Sequence, residues 1–305
     1  MPELPEVEVV RAGLEPAVTG ATIDSVTVFE ERSLRRHDGP SEDFVERLAG
    51  RDILAAVRRG KFLWLPLSAS PAFSEPGEAL VVHLGMSGQV LLRDGKQADD
   101  SLLRIRLDIA SPAHGPLRVD FVDQRIFGSM AIDRFVPTPD GHAAGFGSDA
   151  ALIPSQVSHI ARDPLDAAFS DRRFFDALAK RRTGIKRALL DQGLISGIGN
   201  IYADEALWAA RIHYDQPTAT LTRARARTLL AEVRLVLGRA LAEGGTSFDA
   251  QYVNVNGASG YFSRSLNAYG QHGKSCPRCG RPIIRESFMN RGSHFCAFCQ
   301  RIPAA

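Results

Sequence analysis

The residues best suited to covalent chemistry stand at the front of the chain, Met1-Pro2-Glu3-Leu4-Pro5-Glu6. A second residue as small as Pro2 favours removal of the initiator Met1, and removal leaves a secondary amine. An α-amino group has a pKa of about 7.7–8.0, far below the ~10.4 of lysine, so a useful fraction is nucleophilic near neutral pH. A secondary amine that attacks a sugar aldehyde carbon gives an iminium, which keeps its positive charge without needing a proton. Such a cation is an electron sink, and Schiff-base chemistry of this kind divides one hard step into two easier ones. Glu3, one peptide bond away, and Glu6, one turn further on, supply carboxylates beside it. The same residues also read as a plain helix start, because Pro suits the first turn and acids suit the N-terminal dipole. The segment alone leaves both readings open.

A second group is metal-ligating. All four cysteines, Cys276, Cys279, Cys296 and Cys299, fall in a C-x2-C-x16-C-x2-C pattern, inside the spacing of structural zinc sites. Four thiolates close a tetrahedral shell and leave no position for substrate, so the expected cofactor is one structural Zn2+ per chain. Disulfides are the alternative, and nothing in the sequence indicates secretion. So short a module builds no core of its own, and metal binding of order 10–16 kcal/mol supplies the folding energy. Between the knuckles the sequence reads as a hairpin, 282–287 and 293–296, with Met289-Asn290-Arg291-Gly292 at its tip. Arg291 there is either a group that enters a groove and meets a phosphate or a solvated arginine.

A third candidate is the stretch from Leu194 to Glu205, which joins two predicted helices through Gly197-Ile198-Gly199-Asn200. Exposed amides at the start of the second helix make an anion site, to which Asn200, Lys186 and Arg181 add donors and charge. Many such turns bind nothing, so this reading too stays open on local grounds.

The elements that must hold these groups divide along the chain. After a short helix carrying Val7, Val10 and Leu14, strand-like runs cover 23–29, 61–67, 80–84 and 89–92. Leu103, Ile105, Leu107 and Ile109 alternate with Arg104, Arg106 and Asp108, and Leu117, Val119 and Phe121 repeat the pattern. Antiparallel strands with one wet face fit this, which predicts a β-sandwich. Residues 136–155 are rich in Pro and Gly and read as a linker. Beyond them the period turns helical over 172–180, 185–191, 203–210 and 222–243, the last stopped by Gly244-Gly245.

The 305 residues, 44% hydrophobic and 24% charged, have ordinary globular composition. No apolar run is long enough to span a bilayer, and the front of the sequence lacks a signal pattern, so an intracellular protein is expected. Residues 1–150 carry sixteen Lys/Arg against twenty-three Asp/Glu, and the remainder carries 21 against 12. A basic C-terminal half points to a polyanionic partner, most often nucleic acid.

Taken together, PELPEVE, Arg59-Gly60-Lys61, His83-Leu84-Gly85-Met86-Ser87-Gly88, the Gly197–Glu205 turn and the four-cysteine hairpin resemble bacterial formamidopyrimidine-DNA glycosylase over essentially the full length. The resemblance implies an α+β chain: a catalytic β-sandwich domain with a leading helix (1–135), a linker (136–155), a helix–two-turn–helix DNA-binding domain (156–262) and a zinc finger (263–305). It implies excision of oxidised purines from double-stranded DNA, followed by β,δ-elimination through a Schiff base on Pro2. Glu3 would be the general acid/base, Glu6 would assist, Lys61 would serve β-elimination and Arg291 the phosphates and δ-elimination. Lys186, Asn200 and Tyr202 would match phosphate contacts, with Glu205 near the reaction centre and His83 and Arg181 on the backbone. Met86 and Phe127 would fill the void left by a flipped base, and Arg125 would pair with the orphaned cytosine. The expected protein is a monomer in the bacterial cytoplasm, with DNA as partner and no membrane.

The chain departs from the family pattern where Ile126 replaces a second arginine, and where Ser101-Leu102-Leu103 stand without the usual strand histidine. In relatives the region of the 253–261 loop covers the flipped base. An endonuclease VIII-like enzyme for oxidised pyrimidines is the alternative within the superfamily; Leu4, Met86, Arg125 and Phe127 favour the purine type. A non-enzymatic zinc DNA-binding protein is the alternative outside it, and Pro2, Glu3 and Lys61 speak against that.

Overall fold

The computed structural model describes residues 2–69, 77–246, 255 and 262–302. These divide into two compact units: residues up to His159 together with Thr246 and Val255, and residues 160–245 with 262–302. Thr246 and Val255 fall inside the range 156–262 expected for the helical domain, yet they pack in the first unit. Met1 and the 253–261 loop, apart from Val255, lie outside the described residues. Among the described residues no helix is long and apolar enough to cross a membrane.

The first unit opens with helix α1 (Leu4–Val18), whose N-terminus is set by a reciprocal capping box between Glu3 and Glu6, with Pro5 in the first turn. Val7, Val10, Leu14 and Val18 recur every three or four residues and enter the main core, as an amphipathic helix requires. Strand β1 (Thr22–Val28) and the short helix α2 (Ser41–Leu48) follow. Next come β2 (Val57–Arg59), β3 (Phe62–Pro66), β4 (Glu78–His83) and β5 (Gly88–Arg93). The long strands β6 (Leu103–Ser111), β7 (Gly115–Asp123) and β8 (Ser129–Pro137) then lead to β9 (Leu152–Pro154). One antiparallel sheet has the order β1-β6-β7-β5 and the other β2-β3-β4-β8-β9. Inward residues of both, among them Ile23, Leu63, Leu80, Ile105, Phe121 and Ile132, share one buried cluster with α1. That cluster is the filling of a β-sandwich, and each such fully buried side chain contributes about 1.5–3 kcal/mol relative to exposure.

Residues 136–155, expected as a linker, are bonded into this unit. β8 pairs with β9, and Arg58 and Phe146 exchange both backbone hydrogen bonds at 2.9 Å. At Gly147, with φ +104°, a Cβ would lie 2.2 Å from the carbonyl oxygen of Ala56. The composition that reads as a linker therefore serves close backbone approach.

The second unit holds α3 (Asp171–Ala179), α4 (Ile185–Leu190), α5 (Asn200–Ala209) and the twenty-residue α6 (Arg223–Ala242). The Thr222 hydroxyl caps α6 by accepting from the amide of Arg225 at 3.3 Å. The hairpin β10 (Ile284–Phe288) and β11 (Arg291–Phe295) turns at Met289-Asn290, both at positive φ. This is the two-residue turn that the twist of paired strands prefers. Arg291 is therefore the first residue of β11, opposite Phe288, rather than part of the turn.

Candidate functional site

At the head of α1, Glu3 is 1% and Glu6 6% exposed, with Pro2 buried beside them. One oxygen of Glu6, Oε2, accepts the amide of Glu3 at 2.9 Å. The other, Oε1, accepts the amide and the hydroxyl of Thr246 at 2.7 and 2.9 Å. Both oxygens of Glu6, expected to assist Glu3, are thus engaged, and they tie Glu3 and the head of α1 to Thr246. Removing a partner from such a buried group costs about 1–3 kcal/mol.

Lys61 sits half-buried in the turn between β2 and β3. Arg58 fixes that turn: its Nε donates to Glu8 of α1 at 2.8 Å and its Nη1 to the Gly60 carbonyl at 3.2 Å. The helix that follows Pro2 and the turn that carries Lys61 are thereby tied through one ion pair.

Two loops of the same unit interlock. Gly85, between β4 and β5, has φ +64°, and a Cβ there would lie 2.3 Å from the carbonyl carbon of Phe127. Only glycine fits this conformation and this approach. The β7–β8 loop is organised by the buried Asp123, which accepts from the Ser87 hydroxyl at 2.5 Å and from the amides of Arg125 and Gly128 at 3.1 and 2.6 Å. Arg35 donates to the carbonyls of Ile126, Phe127 and Gly128. These ties hold Ile126 at φ 55°, a conformation that costs a β-branched residue about 1–2 kcal/mol. They leave Met86 and Phe127 42% and 44% exposed, with the Arg125 guanidinium 4.8 Å from the Phe127 ring centre. These large apolar side chains are held outward on braced loops and lie outside the core. His83, at the end of β4, packs on the Phe62 ring at 4.7 Å between centres.

In the second unit Gln192 braces the turn before α5, accepting from the amide of Gly197 at 3.0 Å and donating to the Ile198 carbonyl at 2.9 Å. Asn200, in the first turn of α5, donates to the Gly292 carbonyl at 3.1 Å, while its own oxygen is buried without a hydrogen-bond partner among the described residues. The exposed Arg291 is the residue next to Gly292, so its backbone is tied close to the start of α5.

Three expected DNA contacts sit differently. Lys186 is fully enclosed, its Nζ 2.6 Å from Asp204, so its charge is engaged inside the fold. Tyr202 is 1% exposed against Phe262. Glu205 accepts the amides of Asn267, Ala268 and Tyr269 at 2.8–3.1 Å; burial raises its pKa while those amides pull it back down. Glu205 is an anchor for the segment leading into the cysteine module. Arg181 pairs with Asp191 at 2.7 Å on the surface.

All four cysteines are free thiols, and their sulfurs lie within 4.8 Å of one another. Tetrahedral Zn–S bonds of about 2.3 Å put sulfurs about 3.8 Å apart; Cys279 and Cys296 are at 3.5 Å, so the donor set and its spacing fit such an ion. Arg278 donates to the carbonyls of Trp208 and Ala209 at the end of α5. Gln300 links the Cys296 amide to the Ile212 carbonyl, both at 2.9 Å.

Three family models match the chain in order: the formamidopyrimidine-DNA glycosylase N-terminal domain over residues 1–130, its H2TH domain over 160–251, and a zinc finger found in FPG and IleRS over 273–302. The formamidopyrimidine-DNA glycosylase of Leifsonia xyli subsp. xyli is 68% identical over 302 residues, 99% of this chain and 100% of that protein. The chain belongs to the formamidopyrimidine-DNA glycosylase family. A second relative of that name, from Thermobifida fusca, is 53% identical over 99% of this chain and 98% of its own length. Among solved structures, a complex of Lactococcus lactis Fpg with DNA containing an abasic site matches at TM-score 0.79 and 28% identity, covering 98% of this chain and 99% of that one. A complex of the same enzyme with DNA containing N7-benzyl-Fapy-dG matches at 0.80 and 28% identity, over 98% and 100%.

For a glycosylase of this family the residues that sequence reasoning missed are the braces: Thr246, Arg58, Asp123, Arg35 and Asp204. The Glu3-x-x-Glu6 spacing is a visible capping signal. Thr246 is 240 residues from its partner, and nothing local marks it.

Proposed function

We propose that this chain excises oxidised purines, 8-oxoguanine and formamidopyrimidines, from double-stranded DNA and cuts the strand on both sides of the lesion. The Pro2 nitrogen attacks C1′ and the bond from C1′ to the base breaks, with Glu3 handling the proton. The C1′–O4′ bond then breaks, O4′ taking a proton as the sugar ring opens, and the iminium so formed draws electrons as C2′ loses a proton and the C3′–O bond breaks, releasing one phosphate end. Loss of a C4′ proton then breaks the C5′–O bond. Water hydrolyses the remaining iminium, freeing Pro2 and releasing the sugar remnant as an unsaturated aldehyde, so the products are a free base, that fragment and a one-nucleotide gap with a phosphate at each end. Lys61 serves the first elimination and Arg291 the phosphates and the second.

Flipping a base out costs a few kcal/mol, and apolar wedges that fill the gap offset part of it. Met86 and Phe127 are those wedges, and Arg125 offers paired donors to the cytosine left behind. His83, Arg181 and Asn200 track the backbone; Lys186, Tyr202 and Glu205 support it from inside the fold. The four thiolates take one structural Zn2+, which supplies folding energy and no reaction step. The enzyme works as a monomer in the bacterial cytoplasm, with a catalytic β-sandwich, a helix–two-turn–helix region and a zinc finger as its functional parts.

The observation that carries this reading is the Glu3–Glu6–Thr246 bracket, which commits two buried carboxylates to fixing the head of α1 beside Pro2. Borohydride trapping on a duplex with 8-oxoguanine opposite cytosine tests it. A covalent adduct is expected from the native protein and none from Pro2→Gly or from protein acetylated at its amino terminus. An adduct that survives acetylation ends the reading.

A further inference from the structure

We propose that Asp204 is a positioning residue for Arg291, acting through the first residues of β11. Asp204 lies on α5, 1% exposed. It receives Lys186 Nζ at 2.6 Å, the Ser293 hydroxyl at 3.1 Å and the His294 amide at 2.8 Å, with His294 Nδ1 at 3.4 Å. Lys186 Nζ also donates to the Ser293 hydroxyl at 2.9 Å and reaches the Gly292 carbonyl at 3.4 Å. Asn200, four residues before Asp204 on the same helix, donates to that carbonyl at 3.1 Å. Gly292, Ser293 and His294 are therefore each bonded to α4 or α5, and the exposed Arg291 is the next residue out.

The pattern asks for an explanation beyond folding. Taking an ammonium and a carboxylate fully out of water is costly, and apolar residues of similar size often hold a fold as well. The best-attested use of such a pair is to fix a register. Here the register is that of β11 against α5. A slip of one residue turns every side chain of a strand to its other face, and would re-aim the Arg291 side chain relative to α5. The four sulfurs set where the hairpin begins; Asp204 sets where it ends.

The inference rests on the reading that Arg291 works on the phosphates flanking the sugar, and the experiment separates the two. A duplex with 8-oxoguanine opposite cytosine is cleaved at saturating enzyme, and the ratio of δ- to β-elimination products is measured. Asp204→Asn, Ser293→Ala, Arg291→Ala and the double variant Asp204→Asn/Arg291→Ala are compared with the native protein. Asp204→Asn should lower the ratio by about tenfold, within the range expected when a reacting group is misplaced by about an ångström. Its zinc content and borohydride adduct yield should stay at the native level. Ser293→Ala, which keeps the ion pair, should lower the ratio less. In the Arg291→Ala background Asp204→Asn should change nothing further, because coupled residues lose additivity. An unchanged ratio in Asp204→Asn, or a drop that persists without Arg291, overturns the proposal. If Asp204→Asn loses its metal, Ser293→Ala decides alone, and an unchanged ratio there overturns it. A native ratio in Arg291→Ala would instead remove the underlying reading, and the proposal with it.

Discussion

His83 sits where cations gather. Burial, and then the charges of Arg36, Arg35 and Lys61, push its pKa down to about 4, and its Nδ1 has no hydrogen-bond partner among the described residues. The neutral ring can lie against Phe62 beside groups that a phosphate backbone would neutralise; the charged ring would add repulsion. Because the folded value is below the unfolded value of about 6.5, the stability this gives is intact above pH 6.5. It is lost as pH falls from there towards 4. Denaturant melts at pH 7 and 4.5 should therefore show native protein losing about 1–2 kcal/mol more than His83→Gln over that interval. Equal losses would mean that the ring is not buried uncharged.

At this scale the sequence was informative where a rare residue type recurs at a fixed spacing, as with the four cysteines. It was silent where one common residue braces another far along the chain. Nothing near Glu6 in the sequence marks its partner Thr246, and nothing near Lys186 marks Asp204, which pairs with it inside the fold.

The two loops that cross between the sheets, β4–β5 and β7–β8, show how elements rather than single residues present Met86 and Phe127. Gly85 lets the β4–β5 loop press against the backbone of Phe127 and Gly128, and Asp123 spans the same two loops through Ser87, Arg125 and Gly128. Gly85→Ala puts a methyl group inside the van der Waals distance of that backbone at a positive φ. The loops should part, at a cost of about 1–3 kcal/mol in stability. Met86 and Phe127 would then no longer act as a pair. Excision of 8-oxoguanine should fall by about tenfold or more, whereas cleavage of a preformed abasic site, which has no base to extrude, should change much less. Equal losses on both substrates would detach the wedges from base extrusion.

Elements with a single buried face were legible from period alone: β6 alternates buried and half-buried positions as its sequence does, and α6 runs nearly as its pattern predicts. β8 was not, because its first five residues are all buried and leave no alternation to read. α2 spans eight residues, too few for a helical period to stand out.

Over the whole molecule, stability and charge are unequally shared. The first unit carries one large apolar cluster drawn from both sheets and α1, while the apolar cluster of the cysteine module consists of Cys276, Ile283 and Cys296 with a few neighbours. The basic excess lies in the other half of the chain from Pro2, since residues 1–150 carry more acids than bases. The cysteine module supplies part of that excess, with Arg278, Arg281, Arg285 and Arg291, and the proposed zinc would supply its folding energy. Chelation should therefore separate the two properties. Stripping zinc removes the folding energy of the module and frees β10–β11, and with them the placement of Arg291. Affinity for an abasic-site duplex should drop by about tenfold or more, the scale of one charge-assisted hydrogen bond to a phosphate. The calorimetric transition of the β-rich unit should remain, because none of its core residues belongs to the cysteine cluster. Zinc added back should restore binding without altering that transition. Native affinity in fully metal-free protein would place the grip on DNA outside the hairpin.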